Sequence, residues 1–265
     1  MICTTLQGGL GNQMFQIAFI KSFGRRHGLR SGLNGIDANL RHLTHAYNRS
    51  PHAYEYLRIF KNLDWWENFD DLYEVNRNKA VPFHYVPIQP EDNTNYLGYF
   101  QSERYFTDSE YVKWLFQPAD WVEERIEKYD WLFKDTTTCS IHVRRGDYKT
   151  LQEFHPLMDE EYYQRAISGL NHLKIGKFAI FSDDIDYCRE LFKGDEYVFI
   201  KDRDYTELFV MAKCDHHIIA NSSFSWWGAW LGERQGSVTI APETWFGSEC
   251  KDNPMDIIPA RWQKI

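Results

Sequence analysis

Two adjacent arginines and a nearby carboxylate, Arg144, Arg145 and Asp147, follow directly on a short apolar segment of the chain. Residues 138–143 read as a largely apolar strand, and ligands of open α/β sheets bind at the carboxyl ends of such strands. A guanidinium presents a planar fork of donors that matches phosphate oxygens and keeps its charge near neutral pH. The pattern predicts a site that holds a diphosphate and accepts a proton. A solvated turn at Gly146 is the alternative.

A glycine-rich turn near the start of the chain is a second candidate for ligand contact. A short apolar strand over residues 2–6 is followed by Gly9 and Gly11, and glycines let backbone come close to a ligand. Asn12 and Gln13 then open a predicted helix. The segment lacks the third glycine of the dinucleotide fingerprint and the lysine of a P-loop, so ordinary strand-to-helix packing is the alternative.

Polar residues also end two later apolar strands. Asp183 and Asp184 follow the first of them, and at least one is in position to cap the next helix. Asn221, Ser222 and Ser223 join the second strand to a helix, where free amides and hydroxyls can hold phosphate oxygens. Both segments therefore place polar groups at a strand end, where ligands collect.

Taken in order, the segments GGLGNQMFQ, HVRRGDY, FSDD and NSSFSWWGAWL resemble the motif set of the family 11 glycosyltransferases, the α-1,2-fucosyltransferases that use GDP-fucose. The resemblance spans nearly the whole chain, and HVRRGDY combined with NSSFSWW is its most specific part. It implies an α/β, GT-B-like fold of two Rossmann-like lobes with the donor nucleotide in the C-terminal lobe. It also implies inverting transfer of L-fucose from GDP-β-L-fucose to the 2-hydroxyl of galactose in an oligosaccharide or polysaccharide, without a metal or other cofactor.

The resemblance also implies roles for individual residues. Arg144 and Arg145 would stabilise charge on the departing GDP, and Asp147 is the first candidate for the base that deprotonates the acceptor hydroxyl. Asp147 can instead form a salt bridge that fixes the arginines. Glu153 is the second candidate, because related α-1,6-fucosyltransferases place a glutamate in this loop just before a His-Pro pair. The donor-binding candidates are Gly9, Gly11, Asn12, Gln13, His142, Asp183, Asp184, Asn221, Ser222 and Ser223.

Guanine recognition is implied for one of the two aspartates of FSDD. The N1–H and exocyclic amine of guanine form a donor pair that one carboxylate accepts. We expect either Asp183 or Asp184 to contact guanine and the other to cap the helix. His142 is predicted near the nucleotide ribose, with a histidine satisfied inside the fold as the alternative.

Two Asp-x-Asp patterns, at 184–186 and 202–204, have the form that holds a divalent cation on a diphosphate in other sugar-nucleotide transferases. An arginine pair does the same electrostatic work, so we expect no metal site here. His216 and His217 open an apolar strand and lack two further ligands at metal spacing, which favours a structural role.

Composition limits the partners and the compartment. With 30 basic and 38 acidic residues the net charge is −8, which argues against a nucleic-acid or anionic-membrane surface. The expected partners are GDP-fucose and a galactose-terminated glycan, with peripheral membrane association only if the acceptor is lipid-linked. Five cysteines without a Cys-x-x-Cys pair indicate neither a disulfide framework nor a zinc site. No apolar run approaches about 18 residues, so we expect a cytoplasmic protein.

The second half of the chain alternates strands and helices, which predicts a parallel sheet with helices on both faces. The predicted strands are 138–143, 177–182, 197–200, 216–220 and 237–241, and the predicted helices are 159–172, 185–193, 204–214 and 223–233. A proline near a helix predicted over 119–133 marks the crossing between lobes. We expect an acceptor-side lobe at 1–117, a GDP-fucose-binding lobe at 118–250, and a tail at 251–265 that packs back on the body.

Tryptophans fall into two groups. Trp226, Trp227 and Trp230 recur at helical spacing and are expected in the core. Trp65 and Trp66 lie in an irregular, aromatic-rich segment and are candidates for the acceptor face, with packing between lobes as the alternative.

Two other functions fit parts of this pattern. One is a GT-B fucosyltransferase of different linkage, against which the NSSFSWWGAWL segment argues. The other is a non-catalytic protein that binds a nucleotide sugar or glycan on the same fold. The intact arginine and aspartate set argues against it, because a binder needs no base.

Overall fold

The computed structural model describes residues 1–34, 56, 58–63, 75 and 77–265. They form two compact units, residues 1–119 with 252–259 and residues 120–251 with 260–265. Trp65 and Trp66, the candidates for the acceptor face, lie outside the described residues. The predicted functional lobes and their boundary at 117/118 stay predictions.

The first unit contains a parallel sheet of four strands in the order β2-β1-β4-β3 among its described residues. Its elements are β1 (Ile2–Thr5), α1 (Leu10–His27), β2 (Ser31–Asn34), β3 (Arg77–Ala80), β4 (Thr94–Leu97), a 3₁₀ turn (Glu103–Tyr105) and α2 (Ser109–Leu115). Helix α1 is buried through most of its length, and Phe19 stacks on Phe100 with ring centroids 3.9 Å apart. It ends at Gly28, whose φ of 64° is the left-handed conformation that glycine adopts without a steric penalty.

The second unit contains a parallel sheet of six strands in the order β10-β9-β8-β5-β6-β7. Its strands are β5 (Thr138–Val143), β6 (Lys177–Ser182), β7 (Tyr197–Ile200), β8 (His216–Ile218), β9 (Thr239–Ala241) and β10 (Gln263–Lys264). Its α-helices are α3 (Asp120–Ile126), α4 (Glu160–Gly169), α5 (Ile185–Leu191), α6 (Asp204–Lys213) and α7 (Ser223–Gly232). Its 3₁₀ segments are Glu127–Phe133, Asp147–Thr150 and Asn171–Leu173.

Strand β5 lies inside this sheet and is buried along its whole length, as a parallel strand covered on both faces must be. Its register pairs Val143 with Ser182 on β6 and Ile141 with Ile218 on β8. Because all three strands run the same way, the segments that follow them leave the sheet at one edge. The predicted polar residues that follow these strands therefore lie at the same edge of the sheet.

The tryptophan cluster is part of the core, as predicted. Trp226 and Trp227 are fully buried, Trp230 is nearly so, and Trp262 from the end of the chain packs 5.4 Å from Trp226 between ring centroids. Glu233, just after α7, accepts two hydrogen bonds of 2.6 Å from the guanidinium of Arg261. Among the described residues, no helix has the length and apolar character needed to cross a membrane.

Candidate active site

Three carboxylates surround the two arginines that follow β5. Arg144 Nη2 lies 2.6 Å from Asp147 Oδ1, and Arg144 Nη1 lies 2.8 Å from Asp183 Oδ2. Arg145 Nε lies 3.2 Å from Asp184 Oδ2. The arginine side chains are one third and one fifth exposed, so each guanidinium is held in place while part of it stays accessible. Such fixed donors can stabilise developing negative charge without reorganising.

The turn between the arginines and Asp147 is shaped by Asp183. A Cβ added to Gly146 would lie 2.4 Å from Asp183 Oδ2, so this position admits only glycine without a shift of the aspartate. The backbone amide of Arg145 donates to Asp183 Oδ1 at 2.8 Å. Ser182 Oγ also donates to the carbonyl of Val143 at 2.8 Å. The end of β6 is therefore bonded directly to the arginine segment.

Asp184 is the capping member of the FSDD pair. Its carboxylate accepts from the Tyr187 amide at the start of α5, at 3.5 Å, and from Lys149 Nζ at 2.5 Å. The hydrogen bond from Lys149 is the main reason that the pKa of Asp184 is lowered. The guanidinium of Arg145 lies over the Tyr187 ring, 3.6 Å from its centroid. Asp184 is therefore the aspartate that caps the helix, and the contact of Asp183 with guanine stays a prediction.

Lys149 was missed in the sequence, although it follows Asp147 by two residues in the same turn. Its contact with Asp184 became visible only once the segments after β5 and β6 were brought together. It adds a third cation to the arginine pair.

His142 on β5 is buried, and burial lowers its pKa to about 3. Its Nδ1 has no hydrogen-bond partner within the described residues, and its ring lies 5.5 Å from that of Phe224. Buried polar atoms are generally hydrogen-bonded, so an unpartnered nitrogen this close to the charges of Asp183 and Arg144 is suited to contact a ligand. The role at the ribose stays a prediction.

Asn221 links three segments through its side chain and its backbone carbonyl. Its side-chain Nδ2 donates to the carbonyls of Pro156, at 3.1 Å, and Trp245, at 3.0 Å. Its backbone carbonyl accepts from the hydroxyl of Tyr148 at 3.0 Å. Both amide hydrogens are used, so the side chain keeps only an acceptor oxygen, which repels a phosphate. The side chain of Asn221 therefore positions these loops, and a contact of this residue with the donor stays a prediction.

Ser222 and Ser223 stand at the amino end of α7. Ser222 occupies the capping position, but its hydroxyl makes no capping hydrogen bond within the described part of the chain. Its backbone carbonyl accepts from Ser225 Oγ at 3.3 Å instead. This helix therefore starts without a side-chain cap from Ser222, and a contact of the helix start with phosphate stays a prediction.

The loop after Asp147 carries the second predicted base, Glu153, and a histidine. Glu153 is exposed, and its backbone carbonyl accepts from the amide of Glu249 at 3.0 Å. A Cβ on Gly247 would lie 2.2 Å from that carbonyl oxygen, so the two backbones touch here. His155 stacks flat on Tyr148, with centroids 4.8 Å apart and 15° between the rings. His155 entered the sequence analysis only as part of the His-Pro pair after Glu153, and Tyr148 only as the last residue of HVRRGDY; neither was predicted to have a role in the site.

The glycine-rich turn belongs to the first unit, whereas the arginine segment belongs to the second. Asn12 Oδ1 accepts from Gln101 Nε2 at 2.7 Å, and Gln13 Nε2 donates to the carbonyl of Gly8 at 2.9 Å. Gly8, with a φ of 78°, adopts the left-handed conformation. Gly9, in contrast, has an extended backbone, and Gly11 lies within the first turn of α1. Their contact with the donor stays a prediction.

The Asp-x-Asp aspartates with described ion pairs bind protein cations. The side chain of Asp186 is 89% exposed, and its Oδ1 lies 3.3 Å from Arg189 Nη1. Asp202 accepts hydrogen bonds from the guanidinium of Arg125 and from Tyr129 Oη. In the part of the chain that the structure describes, no group of three or more His, Cys, Asp or Glu side chains is placed to hold a metal ion.

His216 and His217 have partners inside the fold. His216 Nδ1 accepts from the amide of Val238 at 3.1 Å. His217 Nδ1 lies 2.8 Å from the hydroxyl of Ser140.

Comparison with known proteins gives a consistent picture. The family description "Glycosyl transferase family 11" matches residues 1–265. An alpha-1,2-colitosyltransferase of Escherichia coli is 31% identical over 292 residues, which cover 100% of this chain and 99% of the relative. The galactoside alpha-(1,2)-fucosyltransferase 1 of Bos taurus is 27% identical over 111 residues, which cover 37% of this chain and 30% of the relative.

Among solved structures, NodZ alpha-1,6-fucosyltransferase soaked with GDP-fucose superposes with a TM-score of 0.53 at 14% identity, covering 87% of this chain and 91% of that one. This likeness confirms the predicted α/β fold of the GT-B class. The arginine segment at the end of β5 lies inside a match that extends over the whole sequence, and a full-length relative agrees with it, so the chain belongs to glycosyltransferase family 11.

Proposed function

We propose that this protein transfers L-fucose from GDP-β-L-fucose to the 2-hydroxyl of a galactose residue in an oligosaccharide or polysaccharide, with inversion at the anomeric carbon. The observation that carries the proposal is the pair Arg144 and Arg145, fixed by three carboxylates at the carboxyl end of β5. Family membership, the α-1,2 linkage in the names of two relatives, and the galactoside in one of them support it.

The chemistry requires one displacement. The acceptor oxygen forms a bond to the anomeric carbon, the bond between that carbon and the β-phosphate oxygen breaks, and GDP leaves with the electron pair. Negative charge therefore grows on the phosphate, where fixed donors lower the barrier. Arg144 and Arg145 supply these donors, so the proposal needs no metal or other cofactor. A base must also take the proton of the acceptor hydroxyl.

A second donor, GDP-colitose, is favoured by one specific observation, the full-length relative named as an alpha-1,2-colitosyltransferase. Colitose is L-fucose without its 3-hydroxyl, so a comparison of the two donors tests the contact that the protein makes with that hydroxyl. A site that hydrogen-bonds a substrate hydroxyl rejects the analogue without it by about 10⁴-fold or more, whereas an apolar pocket discriminates far less. The ratio of kcat/KM for the two donors will therefore identify the natural one.

The test uses the purified protein with each donor and with lactose, N-acetyllactosamine or a type 1 chain as acceptor. Acceptor-dependent release of GDP, with a product whose new bond is α-1,2 by NMR, supports the proposal. A product of another linkage supports the alternative GT-B fucosyltransferase. Binding of GDP-fucose without acceptor-dependent release of GDP supports a non-catalytic binding protein. The cytoplasmic location, and membrane association with a lipid-linked acceptor, stay predictions.

A further inference from the structure

His155 has a fixed position near the arginine segment. Its ring stacks on the ring of Tyr148. The ring centroids of His155 and Phe246 lie 5.7 Å apart, with an angle of 58° between the ring planes. Its backbone amide donates to the carbonyl of Leu151 at 2.8 Å. Stacking on Tyr148 uses the flat face of the imidazole and leaves the ring edge, where the two nitrogens lie, for hydrogen bonds. Within the described residues, neither ring nitrogen has a hydrogen-bond partner.

Tyr148 connects this histidine to the proposed phosphate site. The guanidinium carbon of Arg144 lies 5.3 Å from the centroid of the same Tyr148 ring. The Tyr148 hydroxyl is bonded to the backbone of Asn221, whose side chain holds Pro156, the residue next to His155. Arg144 and His155 therefore share one packed support, and moving either one disturbs Tyr148.

The charges that act on His155 suit a base. Burial lowers its pKa, the charge of Arg144 lowers it further, and the charge of Asp147 opposes both effects. Tyr148 stays neutral, because burial raises its pKa to about 12. The imidazole is therefore neutral near pH 7 and keeps a lone pair, and Asp147 can stabilise the imidazolium that forms when a proton arrives.

We propose that His155 is the general base of the transfer, a role that rests on the proposed function. The acceptor O–H bond breaks and its proton moves to a ring nitrogen of His155, while the oxygen bonds to the anomeric carbon and GDP leaves with the electrons of the broken C–O bond. Asp147 then acts through the histidine. The same carboxylate pairs with Arg144 Nη2 through its Oδ1, and its charge favours the protonated imidazole.

Glu153, the other predicted base, fits this role less well. Its backbone carbonyl is fixed against Gly247 and Glu249, but its side chain is exposed. The ring of His155, in contrast, packs against two aromatic rings. A base that is held within reach of the hydroxyl is the more effective one.

The test compares His155→Phe and His155→Gln with wild type. Phenylalanine retains the packing on Tyr148 but has no lone pair, so a purely structural role predicts an active variant. We expect the acceptor-dependent kcat to fall about 100-fold or more in both variants. Calorimetric titration should show GDP affinity within about twofold of wild type, since no phosphate donor is removed. His172→Gln, an exposed histidine outside the site, is the matched control and should leave kcat unchanged.

The pH profile gives a readout that a structural role would not move. The neutral imidazole is the active form, so wild-type kcat/KM should fall as the pH drops through the lowered pKa of His155. This acidic limb should disappear in both His155 variants. In Asp147→Asn the limb should persist and shift to lower pH, because the imidazolium loses its negative neighbour. Added imidazole should partly restore transfer by His155→Ala.

Three results overturn the inference: a His155→Phe variant with near wild-type kcat, an acidic limb unchanged in His155→Gln, or a limb that only Asp147→Asn abolishes. The last of these would identify Asp147 as the base. Failure of the proposed function looks different, because wild type itself would then show no acceptor-dependent release of GDP with any galactoside. Thermal melts of all variants separate loss of folding from loss of chemistry.

Discussion

Arg145 is held by contacts that depend on the shape of a guanidinium. Its Nε donates to Asp184, and its planar group lies over the ring of Tyr187. A lysine keeps the charge but has neither the fork of donors nor the flat surface for stacking. A lysine at this position therefore separates the effect of side-chain shape from the effect of charge.

We expect Arg145→Lys to lower the rate of transfer about 100-fold, the usual cost of removing one preorganised donor to a developing anion. GDP release in the presence of acceptor measures it. Arg189→Lys is the matched control, because Arg189 forms a comparable ion pair with the exposed Asp186 away from the site. Equal turnover in the two folded variants would contradict this role for Arg145.

The two FSDD aspartates should differ in their effect on nucleotide binding. Asp183 contacts Arg144 and the backbone of Arg145, whereas Asp184 caps α5 and binds Lys149. Removing a charged partner of a ligand costs about 1–3 kcal/mol, so we expect Asp183→Asn to bind GDP about tenfold or more weakly. Calorimetric titration compares it with Asp184→Asn and with the exposed control Asp186→Asn. Unchanged affinity in Asp183→Asn and Asp184→Asn would mean that other groups recognise guanine.

At the level of loops and helices, the segment 152–155 is held by a direct contact between backbones. Gly247 lies against the carbonyl of Glu153, and its amide donates to the carbonyl of Phe154 at 2.9 Å. A carbonyl oxygen of the backbone cannot rotate away as a side chain can. The position of His155 therefore depends on the absence of a Cβ at residue 247.

We expect Gly247→Ala to lower the free energy of unfolding by about 1–3 kcal/mol, as overpacking typically does, and to reduce acceptor-dependent turnover by moving this loop. Thermal melts and GDP release measure the two effects. Gly169→Ala at the end of α4 is the control, since an added Cβ there meets only Ile240 Cδ1 at an ordinary 3.5 Å. A Gly247→Ala variant as stable and active as the control would show that the loop position is unimportant.

Local sequence patterns fail to predict the form of one helical segment. The helix predicted over 119–133 is α3 followed by a 3₁₀ segment at 127–133. Tyr129 donates to Asp202, and the carbonyl of Trp131 accepts from Lys177, so these residues satisfy contacts with distant parts of the unit. Such contacts override a weak helical preference.

For the whole molecule, the cationic side chains of the site predict how transfer responds to chelation. Arg144, Arg145 and Lys149 bring three positive charges to the end of the sheet, where a diphosphate would otherwise need a cation. We expect transfer to survive excess EDTA after exhaustive dialysis. A loss of most activity that manganese or magnesium restores would reject the arginine mechanism and revive the Asp-x-Asp pattern at 184–186.

Residue types and their order were enough to predict five of the six strands of the second unit, all but β10, and the polar residues that follow β5, β6 and β8. Strand β5 was predicted over 138–143 and lies there, because a strand buried on both faces requires a continuous apolar run that is visible in one dimension. The likeness to a known family added the GT-B fold and the expected role of the arginines on the departing GDP.

Pairing between side chains could not be predicted in this way, because it depends on which loops meet after the strands have aligned. The pairing of Val143 with Ser182 in the sheet places FSDD beside the arginines. In that arrangement Lys149 forms an ion pair with Asp184, and Arg144 forms one with Asp183. The backbone contact at Gly247 that supports the loop of His155 joins segments far apart in the chain. No local pattern records such a contact, since it arises from close packing in three dimensions.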